Sequence, residues 1–138
     1  MIILDTNVVS ELTKSLPDHQ VKKWFGGQPL AQLFITSITI AEISYGLHRL
    51  PEGKRRAALE AAFNVSVVEA FKYRILSFDE TAAHLYGEIM VHRKQLGRPL
   101  DVADGQIAAI TLSKKATLVT RNVKDFANCG LELINPFE

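Results

Sequence analysis

Short apolar runs alternate along this chain with stretches whose apolar residues recur at helical spacing. Ile2-Ile3-Leu4 is a continuous apolar run closed by the polar Asp5-Thr6-Asn7, the pattern of a buried strand leading into a helix start. Val8, Val9 and Leu12 then fall on one helical face. Pro17 suits the first turn of a second helix, predicted through about Phe25, with Val21, Trp24 and Phe25 on one side. Gly26-Gly27 predicts its end, because glycine readily takes the left-handed conformation at a helix C-terminus. Leu33–Thr36 is a second strand. From Thr39 the pattern is helical again, with Ile40, Ile43, Leu47 and Leu50 aligned and Pro51 closing it. A further helix is predicted from Glu52 to about Asn64, with Ala58, Leu59, Ala62 and Phe63 inward, and Val67-Val68 lies in an unassigned connection.

The second half repeats the alternation. Ile75–Phe78 is a third strand, after which Asp79 caps a long helix to about Leu96 that Gly97 stops. Asp101 to about Lys114 is a largely buried helix, Leu118–Thr120 a fourth strand, Asn122–Asn128 a polar loop and Leu131–Ile134 a last strand. Strands alternating with helices predict an α/β fold with a central, mostly parallel sheet flanked by helices. No repeat, low-complexity tract or linker divides residues 1–138, so a single domain is expected.

Composition adds limits. Apolar residues make up 47% of the chain, enough for one core. Cys129 is the only cysteine, so no internal disulfide can form, which suits a reducing cytoplasm. The N-terminal segment lacks the basic and long apolar regions of a signal peptide, and no apolar run is long enough for a transmembrane helix. Sixteen Lys+Arg against fifteen Asp+Glu give a formal charge of +1. Bulk charge alone therefore does not hold this chain to nucleic acid, and an RNA substrate requires local basic patches and a metal ion.

In an open parallel sheet, ligands bind beyond the carboxyl ends of the strands. Three acids fall at such positions: Asp5 after the first strand, Glu42 in the first turn of the helix after the second, and Asp104 in the first turn of the helix before the fourth. Each also has a capping explanation. Asp5 is a favoured N-cap residue, Thr39-Ile40-Ala41-Glu42 has capping-box spacing, and Asp104 lies near the positive end of a helix that Asp101 can cap. Apolar neighbours argue for more: charges entering a core are costly unless paired or bound to a cation, and only Lys14, Arg98 and Arg121 are near in sequence. Carboxylates without basic partners suit a hard divalent ion. His19, His48, His84 and His92 are scattered and read as surface residues.

Four blocks together resemble the PIN-domain nucleases: Ile2–Asn7, Ile38–Gly46, Asp104–Ala109 and Thr120–Phe126, in order along essentially the whole chain. Within that family the chain looks like the VapC-type bacterial toxins, including their FitB-like branch. The resemblance implies a parallel sheet flanked by helices and endoribonuclease activity dependent on Mg²⁺ or Mn²⁺, through metal-activated water. It assigns metal binding to Asp5, Glu42 and Asp104, supporting roles to Thr6 and Thr120, and a place in the surrounding hydrogen-bond network to Asn7. Where many relatives carry a fourth acid directly after Thr-Arg, this chain has Asn122, so Asp125 is a candidate replacement; its other reading is a turn residue before Phe126.

Arg121, Lys124 and Arg98 are candidate RNA-phosphate guides, with Arg93 and Lys94 beside them, whereas Lys54-Arg55-Arg56 reads as a solvated face. The resemblance further implies a homodimer and a small VapB-like antitoxin that occludes the site and alone contacts operator DNA; Trp24, Phe25, Leu47 and Leu50 either receive that antitoxin or belong to the core. Two rivals remain: a PIN nuclease of RNA processing or repair, and a non-enzymatic Mg²⁺-binding α/β signalling module.

Overall fold

The computed structural model describes all residues from Met1 to Glu138. Strand β1 (Ile2–Leu4) lies at the centre of a five-stranded sheet. The other strands are β2 (Leu33–Thr36), β3 (Ile75–Leu76), β4 (Thr117–Val119) and β5 (Glu132–Ile134), in the order β3-β2-β1-β4-β5. Every pairing is parallel, with Ile3 opposite both Phe34 and Leu118, and Leu4 opposite Val119.

The chain first builds outward from β1 through β2 to β3, then returns past β1 to β4 and β5. This reversal puts helices on both faces, and the apolar strands are buried on both sides as such sheets require. Ile3 and Leu118 point into one core with α5 (Glu80–Gln95) and α6 (Val102–Ser113). Leu4, Val119, Leu33 and Ile35 point into the other core. There they meet Val8 and Val9 of α1 (Thr6–Leu12) and Val21 of α2 (His19–Gly26). Two further helices, α3 (Ser37–His48) and α4 (Lys54–Phe63), follow β2.

Helix α6 is apolar nearly all round because it is enclosed: Ile107, Ala108, Ala109 and Ile110 are fully buried between sheet and α5. Gly105 permits that approach. A Cβ there would stand 2.5 Å from Met90 Sδ and 2.9 Å from a Tyr86 ring carbon. No helix is long and apolar enough to cross a membrane.

Several local expectations are corrected. Helix α2 starts after Asp18, whose carboxylate accepts from the amides of Gln20 and Val21, so Pro17 stays outside it. Gly27 ends α2 with right-handed backbone (φ −88°), whereas Gly97 stops α5 with φ +72° as expected. Helix α4 buries no residue: Ala58, Leu59 and Ala62 are exposed and only Phe63 packs against the core, because the segment lies at the margin and never reaches the sheet. The unassigned Val67-Val68 belongs to a π-helical turn, Asn64–Glu69, that buries Val67.

Candidate active site

The order of strands reverses beside β1, whose parallel neighbours are β2 and β4. Crossovers leave that point on opposite faces, so a crevice opens at the carboxyl ends of β1 and β4. Asp5 and Thr120 are the residues that follow these two strands.

Asp5 caps α1, is 3% exposed, and is held by three donors. The Thr6 amide donates to Oδ1 at 2.8 Å; the Thr120 hydroxyl donates to Oδ2 at 2.7 Å, and Asn7 Nδ2 to the same oxygen at 3.2 Å. Asn7 also ties the two strand ends together, since its Oδ1 accepts from the Arg121 amide at 3.2 Å. Thr120 Oγ1 accepts in turn from the Asn122 amide at 3.0 Å. Burial raises the Asp5 pKa, with the charges of Glu42 and Asp101 adding to it; the donors from Thr120 and Thr6 oppose the shift.

Glu42 reaches the crevice from α3. Thr6 Oγ1 donates to its Oε1 at 2.7 Å. Having only one proton, that hydroxyl must accept in its 2.9 Å contact with Thr39 Oγ1, which gives a relay Thr39 to Thr6 to Glu42. The expected capping box is not formed. Thr36 leaves β2 with extended backbone and is itself the N-cap, accepting from the Thr39 amide at 3.2 Å. Strand therefore passes into helix without a loop, and Glu42 sits in the second turn rather than the first.

Asp104 does lie in the first turn of its helix, and Asp101 caps that helix by accepting from the Asp104 amide at 2.8 Å. The Asp104 pKa is pushed up to about 7, by burial first and then by the charges of Asp101, Asp5, Glu42 and Asp125. Five carboxylates thus share one field. A cleft lined by Arg93, Pro99, Leu100, Asp101, Asp104 and Asp125 opens there. The ion pairs of the structure are Lys14–Glu11, His48–Glu60, Arg56–Glu60 and His84–Glu80, and none involves these five acids.

Uncompensated oxygen donors of this kind fit a hard divalent cation. No three of these acids come together as a ready-made group for a metal ion. Such a donor set fits an ion that uses one or two carboxylates and keeps its remaining waters, and Asp5 and Asp104 are the two most buried of the five acids. Asn122 contributes its backbone amide to Thr120 and its side chain is exposed; Asp125 is the loop acid that shares the field of Asp104.

The basic candidates differ. Arg98 is exposed on the turn leading to Asp101, and Lys124 is exposed beside Asp125. Arg121 is exposed at the same strand end, its guanidinium 3.7 Å from the Phe137 ring centroid. Arg93 is not a free phosphate guide: it is 4% exposed and bonded to backbone carbonyls, because its position on α5 faces the core. All four histidines are exposed, as expected. Trp24 and Phe25 pack against the core, whereas Leu47 lines a groove between α3 and α4 with Ile40, Phe63 and Val68.

Sequence reasoning passed over Thr39 as a site residue and Arg93 as a buried group; Asp101, a further candidate acid better read from sequence as a helix cap, does cap α6 and also adds to the field of Asp104. Thr39 had a signal, since it stands three residues before Glu42 on one helical face.

Comparison with known proteins agrees with this geometry. The PIN domain family model matches residues 2–130. A VapC ribonuclease, Y4jK, of Sinorhizobium fredii is 39% identical over 138 residues, spanning 100% of this chain and 99% of the relative. The toxin FitB of Neisseria gonorrhoeae is 34% identical over 137 residues, spanning 99% of each chain. A solved structure of FitAB bound to an IR36 DNA fragment superimposes with a TM-score of 0.93 at 34% identity, covering 100% of this chain and 96% of that one. The chain belongs to the PIN-domain family, alongside the VapC and FitB toxins.

Proposed function

We propose that this chain is the toxin of a toxin–antitoxin pair, a Mg²⁺-dependent endoribonuclease that hydrolyses RNA phosphodiester bonds in the cytoplasm. The observation that carries the reading is the acidic crevice at the switch point, free of ion pairs, where burial first and then the charges of four other carboxylates push Asp104 up to about 7. Protonation and cation binding are the two ways to relieve such a field, and near neutral pH a divalent ion competes well.

Asp5 and Asp104 would hold the ion, with Glu42 or Asp125 completing its surroundings. Mg²⁺ or Mn²⁺ would supply Lewis acidity there, neutralising phosphate charge and activating water. The chain's own residues orient the rest. Thr120, Thr6 and Asn7 keep both Asp5 oxygens fixed, and the Thr39–Thr6 relay holds Glu42 Oε1. Glu42 Oε2 is left to accept a proton from the attacking water. Arg121, Lys124 and Arg98 are exposed cations on the segments that carry Thr120, Asp125 and Asp101, available to substrate phosphates, and Mn²⁺ is expected to replace Mg²⁺.

For partners, the FitAB complex on DNA supports a VapB-like antitoxin that covers the crevice and alone contacts operator DNA. The groove of Ile40, Leu47, Phe63 and Val68 beside α3 suits an amphipathic antitoxin segment, and a homodimer is the expected assembly of the toxin.

The test is cleavage of total cellular RNA by the purified protein with Mg²⁺, with EDTA, and with Asp5→Asn and Asp104→Asn. Cleavage is expected only for the wild type with metal, while both variants stay folded. Undiminished cleavage in EDTA, or by either variant, sinks the reading.

A further inference from the structure

Arg93 is the most deeply buried cation of the chain, and no carboxylate pairs with it. A buried guanidinium is costly unless its N–H groups are bound, and here main-chain carbonyls bind them. Nε donates to the Arg98 carbonyl at 2.8 Å. Nη1 donates to the carbonyls of Asp125 at 2.5 Å and Ala127 at 2.9 Å, and lies 3.6 Å from Cys129 Sγ. The two groups of acceptors belong to opposite walls of one cleft. Arg98 precedes the turn that delivers Asp101 and Asp104, while Asp125 and Ala127 belong to the loop after β4.

That loop has no ladder of its own. It is pinned by buried Phe126 and Cys129 and by the guanidinium, and it carries Asn128 at φ +62° and Gly130 at φ +76°. Asp125 on one segment repels Asp104 on the other, and the bonds of Arg93 hold the two segments together against that repulsion. The planar fork of arginine holds two directions at once, which lysine cannot reproduce fully.

We propose that Arg93 is a positioning residue that joins the Asp125 loop to the Arg98–Asp101 turn and so sets the width of the acidic cleft. The inference rests on the reading that Asp104 and Asp125 serve a metal-dependent reaction. Its link to the loop can be measured without that reaction.

The experiment compares wild type, Arg93→Gln, Arg93→Lys, Asp125→Asn and the Arg93→Gln/Asp125→Asn double variant. Amide hydrogen exchange reports the loop, calorimetry with Mn²⁺ reports metal affinity, and RNA cleavage against Mg²⁺ concentration reports function. Arg93→Gln is expected to speed exchange at residues 125–130 while β1 keeps its protection. Loss of an outer support typically weakens metal binding by roughly 10–100-fold, and that is the expected loss here. Arg93→Lys should recover part of it, and the double variant should bind metal no worse than Asp125→Asn. Unchanged loop exchange overturns the proposal, as do losses that multiply in the double variant. Should Arg93→Gln lose protection throughout the fold, Arg93→Lys decides by the same comparison: a slackened loop with intact β1 supports the link, and an unaltered loop overturns it. A wild-type protein that binds Mn²⁺ but cleaves no RNA defeats the proposed function and leaves the exchange result to decide Arg93.

Discussion

Replacing Asp104 with asparagine removes a carboxyl that folding makes harder to ionise. Its pKa moves from an ordinary 3.8 to about 7. The folded state therefore binds more protons than the unfolded state between about pH 4 and pH 7, and stability falls as pH rises through that window. A shift of roughly 3 units at about 1.4 kcal/mol each gives about 4 kcal/mol. Asp104 is only partly buried, and solvent screening reduces this to about 2 kcal/mol. Metal-free Asp104→Asn should thus be more stable than wild type by about 2 kcal/mol at pH 8, and nearly equal to it close to pH 4. Urea unfolding followed by circular dichroism in EDTA reads this as a midpoint higher by about 1 M at pH 8. Millimolar Mg²⁺ should narrow the gap by stabilising the wild type alone. An Asp104→Asn protein that is no more stable at pH 8, or whose advantage is the same at both pH values, refutes the reasoning.

Other outcomes follow from the same contacts. Thr120→Val deletes the 2.7 Å donor that opposes the raised Asp5 pKa, so the acidic limb of the cleavage–pH profile should move to higher pH; an unmoved limb would detach Thr120 from Asp5. Asp125→Asn should weaken Mn²⁺ binding in calorimetry more than Asn122→Ala, because Asp125 shares the field of Asp104 while Asn122 contributes its main chain; the reverse order would assign the fourth corner to Asn122. Phe126→Ala empties a side chain that is 1% exposed and should cost about 3–5 kcal/mol in urea unfolding. A smaller loss would mean that the loop refills the space.

Much of the architecture was legible because a parallel sheet buried on both faces needs continuous apolar strands. Ile2–Leu4 and Leu33–Thr36 stand as expected. The edge of the fold was less legible. Helical periodicity gave the segment of Lys54–Phe63 an inward face, but a helix that never meets the sheet leaves Ala58 and Leu59 in water. Thr39 and Thr36 are equally good caps as residue types. The choice between them depended on where β2 stops pairing, and that choice moved Glu42 by one turn.

By itself the sequence determined the residue chemistry: oxygen donors after strands, few bases near them, and four blocks that point to one family. Those properties depend on residue type and local spacing. Only the tertiary structure decided that Asp5, Glu42, Asp101, Asp104 and Asp125 share one field, because their convergence follows from the β3-β2-β1-β4-β5 order and its reversal beside β1. It alone also decided that Arg93 faces inward and joins the two walls, since its partners are main-chain carbonyls, which no side-chain pattern encodes.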